Sequence, residues 1–193
     1  MGMPAVDRRW TAREVRALIE KSPLASPRYE LVDGELLVTP SPGYSHQRTV
    51  TRLLVALHEY TQREGIGDAL ASPFDVELEP ETITQPDIFV ISRDEGRRLQ
   101  HEGLPAISLL LAIEVLSPSS SRHDRVRKRP LYQRHAPEYW IVDLDARLIE
   151  RWRTGEDRPE ILDVSLTWRP TGATEPFVLD VQRFFSEVMN EQG

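Results

Sequence analysis

The chain has 193 residues, with 31 Asp and Glu against 24 Lys and Arg for a formal charge of −7, and no cysteine. The length suits one ordinary domain, expected to span 1–193, and the 39% hydrophobic share is that of a folded chain rather than a disordered one. The acidic balance argues against a protein that coats nucleic acid or membrane without selectivity, and the missing thiols exclude disulfides, thiolate zinc sites and cysteine nucleophiles.

Met1 to Arg9 carries no apolar stretch behind a basic one, so no secretory signal is visible. Thr11 with Glu14 has the form of a capping box, and Val15, Leu18 and Ile19 then share one face, which predicts a short helix over about 11–21. Tyr29–Val32 and Glu35–Thr39 flank Asp33-Gly34, the strongest hairpin signal in the chain. Val50, Leu53, Leu54 and Leu57 recur at helical spacing and predict a long helix over 45–63. Strands are expected over 68–72, 74–78, 86–91 and 107–116, the last two apolar enough to lie inside a sheet. The apolar run Leu109–Ile113 is far short of the roughly 20 residues of a membrane span, so a cytoplasmic protein with no membrane contact is expected. A basic helix over 119–135, kinked or delayed by Pro130, precedes an aromatic hairpin at 138–143 and 148–152. Weaker strands near 160–166 and 177–179 and an amphipathic helix over 181–190 complete the chain. This order predicts an α+β fold, a mixed β-sheet flanked by helices.

Two carboxylates break the apolar pattern. Asp87 follows Pro86 at the head of one strand, and Glu114 is enclosed by Leu111-Ala112-Ile113 and Val115-Leu116. Burying an ionised carboxylate costs several kcal/mol unless it is paired or binds a cation. Either residue alone fits a strand end that meets solvent or an arginine. Together they fit a shared site for a hard cation such as Mg²⁺ or Mn²⁺, which prefers oxygen ligands.

Downstream, Arg122, Arg125, Arg127, Lys128, Arg129 and Arg134 stand against Asp124 alone, a cationic run in an acidic chain. Such runs are commonly solvated helix faces, but this one starts shortly after Glu114 and would return over the carboxylates. Asp124 and Lys128, four apart, fit either a helix-surface ion pair or a part in the site. A cation beside a basic helix suits phosphodiester hydrolysis. No Gly-rich phosphate loop, nucleophile elbow or dinucleotide fingerprint is present. Trp140, Trp152 and Trp168 are expected in the core or at its rim.

Taken in order, Tyr29-Glu30-Leu31-Val32-Asp33-Gly34-Glu35-Leu36, Ser41-Pro42 with His46, Gln85-Pro86-Asp87, Glu114-Val115-Leu116-Ser117-Pro118-Ser119, Asp124 with Lys128-Arg129 and Tyr132, and Pro137-Glu138-Tyr139-Trp140-Ile141-Val142-Asp143 resemble the Uma-type restriction-endonuclease family of the PD-(D/E)xK nuclease superfamily. The resemblance covers about 29–153 and implies a restriction-endonuclease-like core and a Mg²⁺- or Mn²⁺-dependent endonuclease acting on DNA. By that likeness Asp87 and Glu114 are the metal ligands and Glu35 a further acidic residue of the site. Leu116 stands where the pattern has its lysine, and Lys128 on the following helix is the residue that matches. His46, Ser117 and Asp124 become accessory residues, and Arg122, Arg125, Arg127 and Arg129 the candidates for holding the nucleic-acid backbone. A homodimer fits the need for two sites to cut a duplex. The competing expectation is an inactive binding or interaction module that keeps the fold, favoured by Leu116 and the acidic charge.

Overall fold

The computed structural model describes residues 8–22, 27–102, 107–117 and 123–189. Helix α1 (Ala12–Lys21) opens on the capping box, with the Thr11 hydroxyl accepting from the Glu14 N–H and the Glu14 carboxylate accepting from the Thr11 N–H. Thr11→Ala removes that cap and is expected to cost about 1 kcal/mol, read as a lower urea midpoint at unchanged slope. Strands β1 (Arg28–Val32) and β2 (Glu35–Thr39) form the expected hairpin. Asp33 and Gly34 both take positive φ, 52° and 77°, as a turn matched to strand twist requires.

Helix α2 (Tyr44–Glu64) ends at Gly65 in the left-handed conformation. Then come β3 (Gly67–Ala71), β4 (Ile88–Ser92), α3 (Arg93–Glu102) and β5 (Leu111–Val115). A π-helical turn at Asp124–Lys128 runs into α4 (Arg129–His135). Strands β6 (Glu138–Asp143), β7 (Leu148–Arg153), β8 (Glu160–Leu162), β9 (Ser165–Trp168) and β10 (Phe177–Asp180) lead to α5 (Val181–Val188).

The main sheet has the order β3-β4-β5-β6-β7-β8, antiparallel throughout except for the parallel β5–β6 pair. A parallel pair needs a crossover, and the stretch holding the π-turn and α4 supplies it. Side chains alternate between two cores. Leu111, Ile113, Val115, Trp140 and Val142 face α2, α5, β9 and β10; Phe89, Ile91, Ala112, Tyr139 and Ile141 face the side that carries α4 with Leu131 and Tyr132. By this period of two, Glu114 is directed to the α4 side.

Four expectations are corrected. The stretch 74–78 is no strand; its one ladder contact is a bridge between Val76 and Thr84. Strand β5 begins at Leu111, not 107, because Ile107 pairs instead with Glu77 through its backbone N–H. Strand β4 begins at Ile88 rather than at Pro86, whose residue has no N–H to give a ladder. Helix α3 was not anticipated, since its sequence ArgAspGluGlyArgArgLeuGlnHisGlu has almost no apolar stripe to read. The basic helix is described from His123 onward, so Arg122 lies outside the described residues. Pro130 falls in the first turn of α4 just after the widened turn, where the Arg129 N–H bonds Asp124 O five residues back. The extra width eases the clash a proline ring makes with the carbonyl four residues before it.

Candidate active site

Asp87 immediately precedes β4, and Ile88 lies opposite Ile113 in the antiparallel ladder. One further step of that register sets Asp87 opposite Glu114, on the same face of the sheet. The Val115 N–H donates to Asp87 Oδ2 at 2.9 Å and ties the two strands at this point. Arg28 Nη1 donates to Asp87 Oδ1 at 2.8 Å, and His46 Nε2 lies 3.0 Å from Oδ2. Burial alone would push the Asp87 carboxyl up; the His46 hydrogen bond, the Arg28 charge and the Val115 N–H outweigh it and hold the group well below the usual carboxylate range.

Behind Asp87 lies a second, deeper cluster. Lys128 Nζ is 2.8 Å from Glu30 Oε2, 2.9 Å from Glu114 Oε1 and 3.3 Å from Asp124 Oδ1, and all four residues are at most 2% exposed. The Tyr132 hydroxyl also donates to Glu114 Oε1, at 3.3 Å. Burial raises the Glu114 carboxyl well above its ordinary value; Lys128 opposes this, while the neighbouring Asp87, Asp124 and Glu30 reinforce it. Burial would lower Lys128, but its three carboxylates hold the ammonium well above the ordinary lysine value and so charged. The π-turn directs Asp124 and Lys128 inward together, so the surface ion-pair alternative is replaced by a buried one.

The hairpin β1–β2 completes the arrangement. Arg28 and Glu30, two apart in β1, share a face and both grip the residue before Pro86: Arg28 Nη1 donates to Gln85 O and the Gln85 N–H donates to Glu30 Oε1 at 2.7 Å. The hairpin docks through reciprocal Leu31 and Ile83 backbone bonds. A cleft of about 340 Å³ opens at Asp87, lined by Arg28, His46, Ser41, Gln47 and Ser72 among others. His46 also lines a neighbouring cavity of about 480 Å³ with Ser117 and Arg125.

Of the other residues singled out from the sequence, Glu35 stays outside the cluster, on the surface, 3.0 Å from Arg127 Nε. Arg125 is committed to Asp143 and Glu150, at 2.8 and 2.6 Å. Arg129 lies over the Trp152 ring at 4.5 Å and bonds Gln133, while Arg127 remains half exposed. Trp140 and Trp168 are core residues in edge contact, as expected.

The profile of the Uma2 family, described as "Putative restriction endonuclease", matches residues 17–182. The chain belongs to the Uma2 family. The Uma2 chain also superposes on the crystal structure of a protein from Anabaena variabilis ATCC 29413 described as "a putative nuclease belonging to DUF820", with a TM-score of 0.71 and 22% identity over 88% of this chain and 96% of that one. That likeness shows the shared fold. No curated protein matches.

In this Uma2 chain the donor set fits a hard divalent cation. Among the described residues, four buried carboxylates, Glu30, Asp87, Glu114 and Asp124, gather around Lys128 and Arg28, with His46 at Asp87. Among the described residues no three ligating side chains converge as a ready-made metal cage. A pair of carboxylates on adjacent strands, with waters and a phosphate oxygen completing the shell, is the arrangement Mg²⁺ ordinarily takes. Glu30 and Arg28 are the residues sequence reasoning missed. The signal was there, in a Glu between Tyr29 and Leu31, but it reads equally as the polar face of an edge hairpin.

Proposed function

We propose that the protein is a divalent-cation-dependent endonuclease that hydrolyses DNA phosphodiester bonds. The observation that carries this reading is the juxtaposition of buried Asp87 and Glu114 across β4 and β5, beside an open cleft. Asp87 and Glu114 would hold Mg²⁺ or Mn²⁺, which supplies an acidified water and neutralises phosphate charge. His46, Arg28 and the Val115 N–H keep Asp87 ionised and aimed, while Lys128 and Tyr132 fix Glu114. Arg127, exchanging Glu35 for a phosphate, gives backbone contact without reading sequence. A homodimer would bring two such sites to the two strands of a duplex.

Supercoiled plasmid and single-stranded DNA incubated with Mg²⁺ or Mn²⁺, with a chelator control, test the reading. Cation-dependent cutting is expected, falling by about 10³-fold, or about 4 kcal/mol, in Glu114→Gln. The same substitution removes a buried carboxylate crowded by like charges and is expected to raise stability at neutral pH, read as a higher urea midpoint. Cutting that persists in Glu114→Gln would locate the activity elsewhere. A second reading, a binding module without turnover, draws on Leu116 and on the withdrawal of Lys128 from the cleft; wild-type protein that binds DNA and leaves it intact in both cations would establish it.

A further inference from the structure

Resting on that nuclease reading, we propose that Arg28, and not Lys128, is the cation that contacts the substrate phosphate, Lys128 being a positioning residue that acts through Glu114. Three carboxylates surround Lys128 Nζ, at 2.8, 2.9 and 3.3 Å, and the side chain is 3% exposed. Of these Glu114 Oε1 accepts a hydrogen bond, and a phosphate oxygen could reach Nζ only by opening the buried cluster, which would strand a carboxylate. Lys128 is also absent from the lining of the cleft.

Arg28 has the opposite character. It lines the cleft with Asp87 and His46. Nη1 donates to Gln85 O at 3.2 Å and to Asp87 Oδ1 at 2.8 Å, and no described residue takes the hydrogens of Nη2. A guanidinium held through Nη1 by two acceptors, and itself lining a cavity, is preorganised to donate to a phosphate oxygen. Asp87, Glu114 and Glu30 keep it charged against burial. Glu30, two residues along the same strand, completes the division of labour, since one face of β1 delivers the cleft cation and also closes the lysine's coordination.

The test is binding of a short fluorescent DNA duplex in Ca²⁺ over a salt series, followed by cleavage kinetics in Mg²⁺. Arg28→Gln is expected to flatten the slope of log affinity against log salt by about 0.9, the value for one lost phosphate contact, and to raise KM. Arg28→Lys should keep the slope. Lys128→Met should keep slope and KM while kcat falls, and Lys128→Met combined with Glu30→Gln, which leaves less uncompensated charge, provides a second folded background for the same reading. An unchanged slope in Arg28→Gln, or a flattened one in either Lys128 background, overturns the proposal. Wild-type protein that binds the duplex but cuts in neither Mg²⁺ nor Mn²⁺ defeats the nuclease reading alone, with the slopes still deciding the Arg28 contact. Wild-type protein that binds no duplex overturns both.

Discussion

Lys128→Met is expected to lower stability by about 3–5 kcal/mol at neutral pH, because the methionine leaves Glu30, Glu114 and Asp124 buried without their shared counter-charge. The size of this loss depends on pH in a definite direction. In the wild type the lysine's raised value means that its contribution is fully present below the unfolded value of about 10.4 and is lost as pH rises through the folded one. In the variant Glu114, already raised above its ordinary value by burial, loses the lysine charge that opposes this, so stability recovers as pH falls. The difference between the two proteins should therefore be widest from neutral to mildly alkaline pH and narrow in acid. Urea unfolding of both at pH 8 and pH 5 measures it. An equal difference at both values would mean that the lysine stem, by packing, matters more than its charge.

The second large effect is expected at Asp87. Asp87→Asn should abolish cation-dependent cleavage, by about 10³-fold or more, and should also weaken the fold by about 2–4 kcal/mol. The amide has one acceptor where the carboxylate serves Arg28, His46 and the Val115 N–H, and it leaves the Arg28 charge without its partner. The sign with pH is opposite to that for Lys128. A carboxyl held below its unfolded value contributes stability that is present above about pH 4 and is lost as pH falls through the folded value. The wild type should thus lose stability on acidification below pH 4 more steeply than Asp87→Asn. Thermal midpoints from pH 6 down to pH 3 test this, and parallel curves would show that the carboxylate is not ionised against its partners in the native state.

Both Asp87 and Glu114 were legible in the chain because each interrupts an apolar strand, and that interruption has few physical explanations. Their alignment was not, because it depends on the register of β4 against β5, which no local pattern encodes. The long helix α2 and the hairpins at Asp33-Gly34 and at 143–148 followed from period and turn chemistry. Lys128 was visible in the cationic run and in its spacing from Asp124, and its match to the pattern's lysine came from family likeness. Its inward direction depends on the π-turn, a one-residue widening that leaves no mark on hydrophobic period. Arg28 and Glu30 escaped because β1 alternates as a half-exposed strand does, and only the docking of the hairpin on Ile83 and Gln85 turns its polar face inward. The arginines of the basic run were visible by charge, but the carboxylates that engage Arg125 sit on β6 and β7, remote in sequence.

The docking of that first hairpin also bears on when the protein becomes capable of chemistry. Arg28 meets Asp87 across 59 residues of chain, and Glu30 waits for a lysine on a helix later still. Strands β3 to β6 can pair among themselves, but without the hairpin they present bare acidic side chains and no cleft cation. Closing contacts this distant in sequence costs chain entropy before they reward it. On the nuclease reading proposed above, a chain whose hairpin has not docked would lack the cleft cation, and its competence toward nucleic acid would wait on that contact.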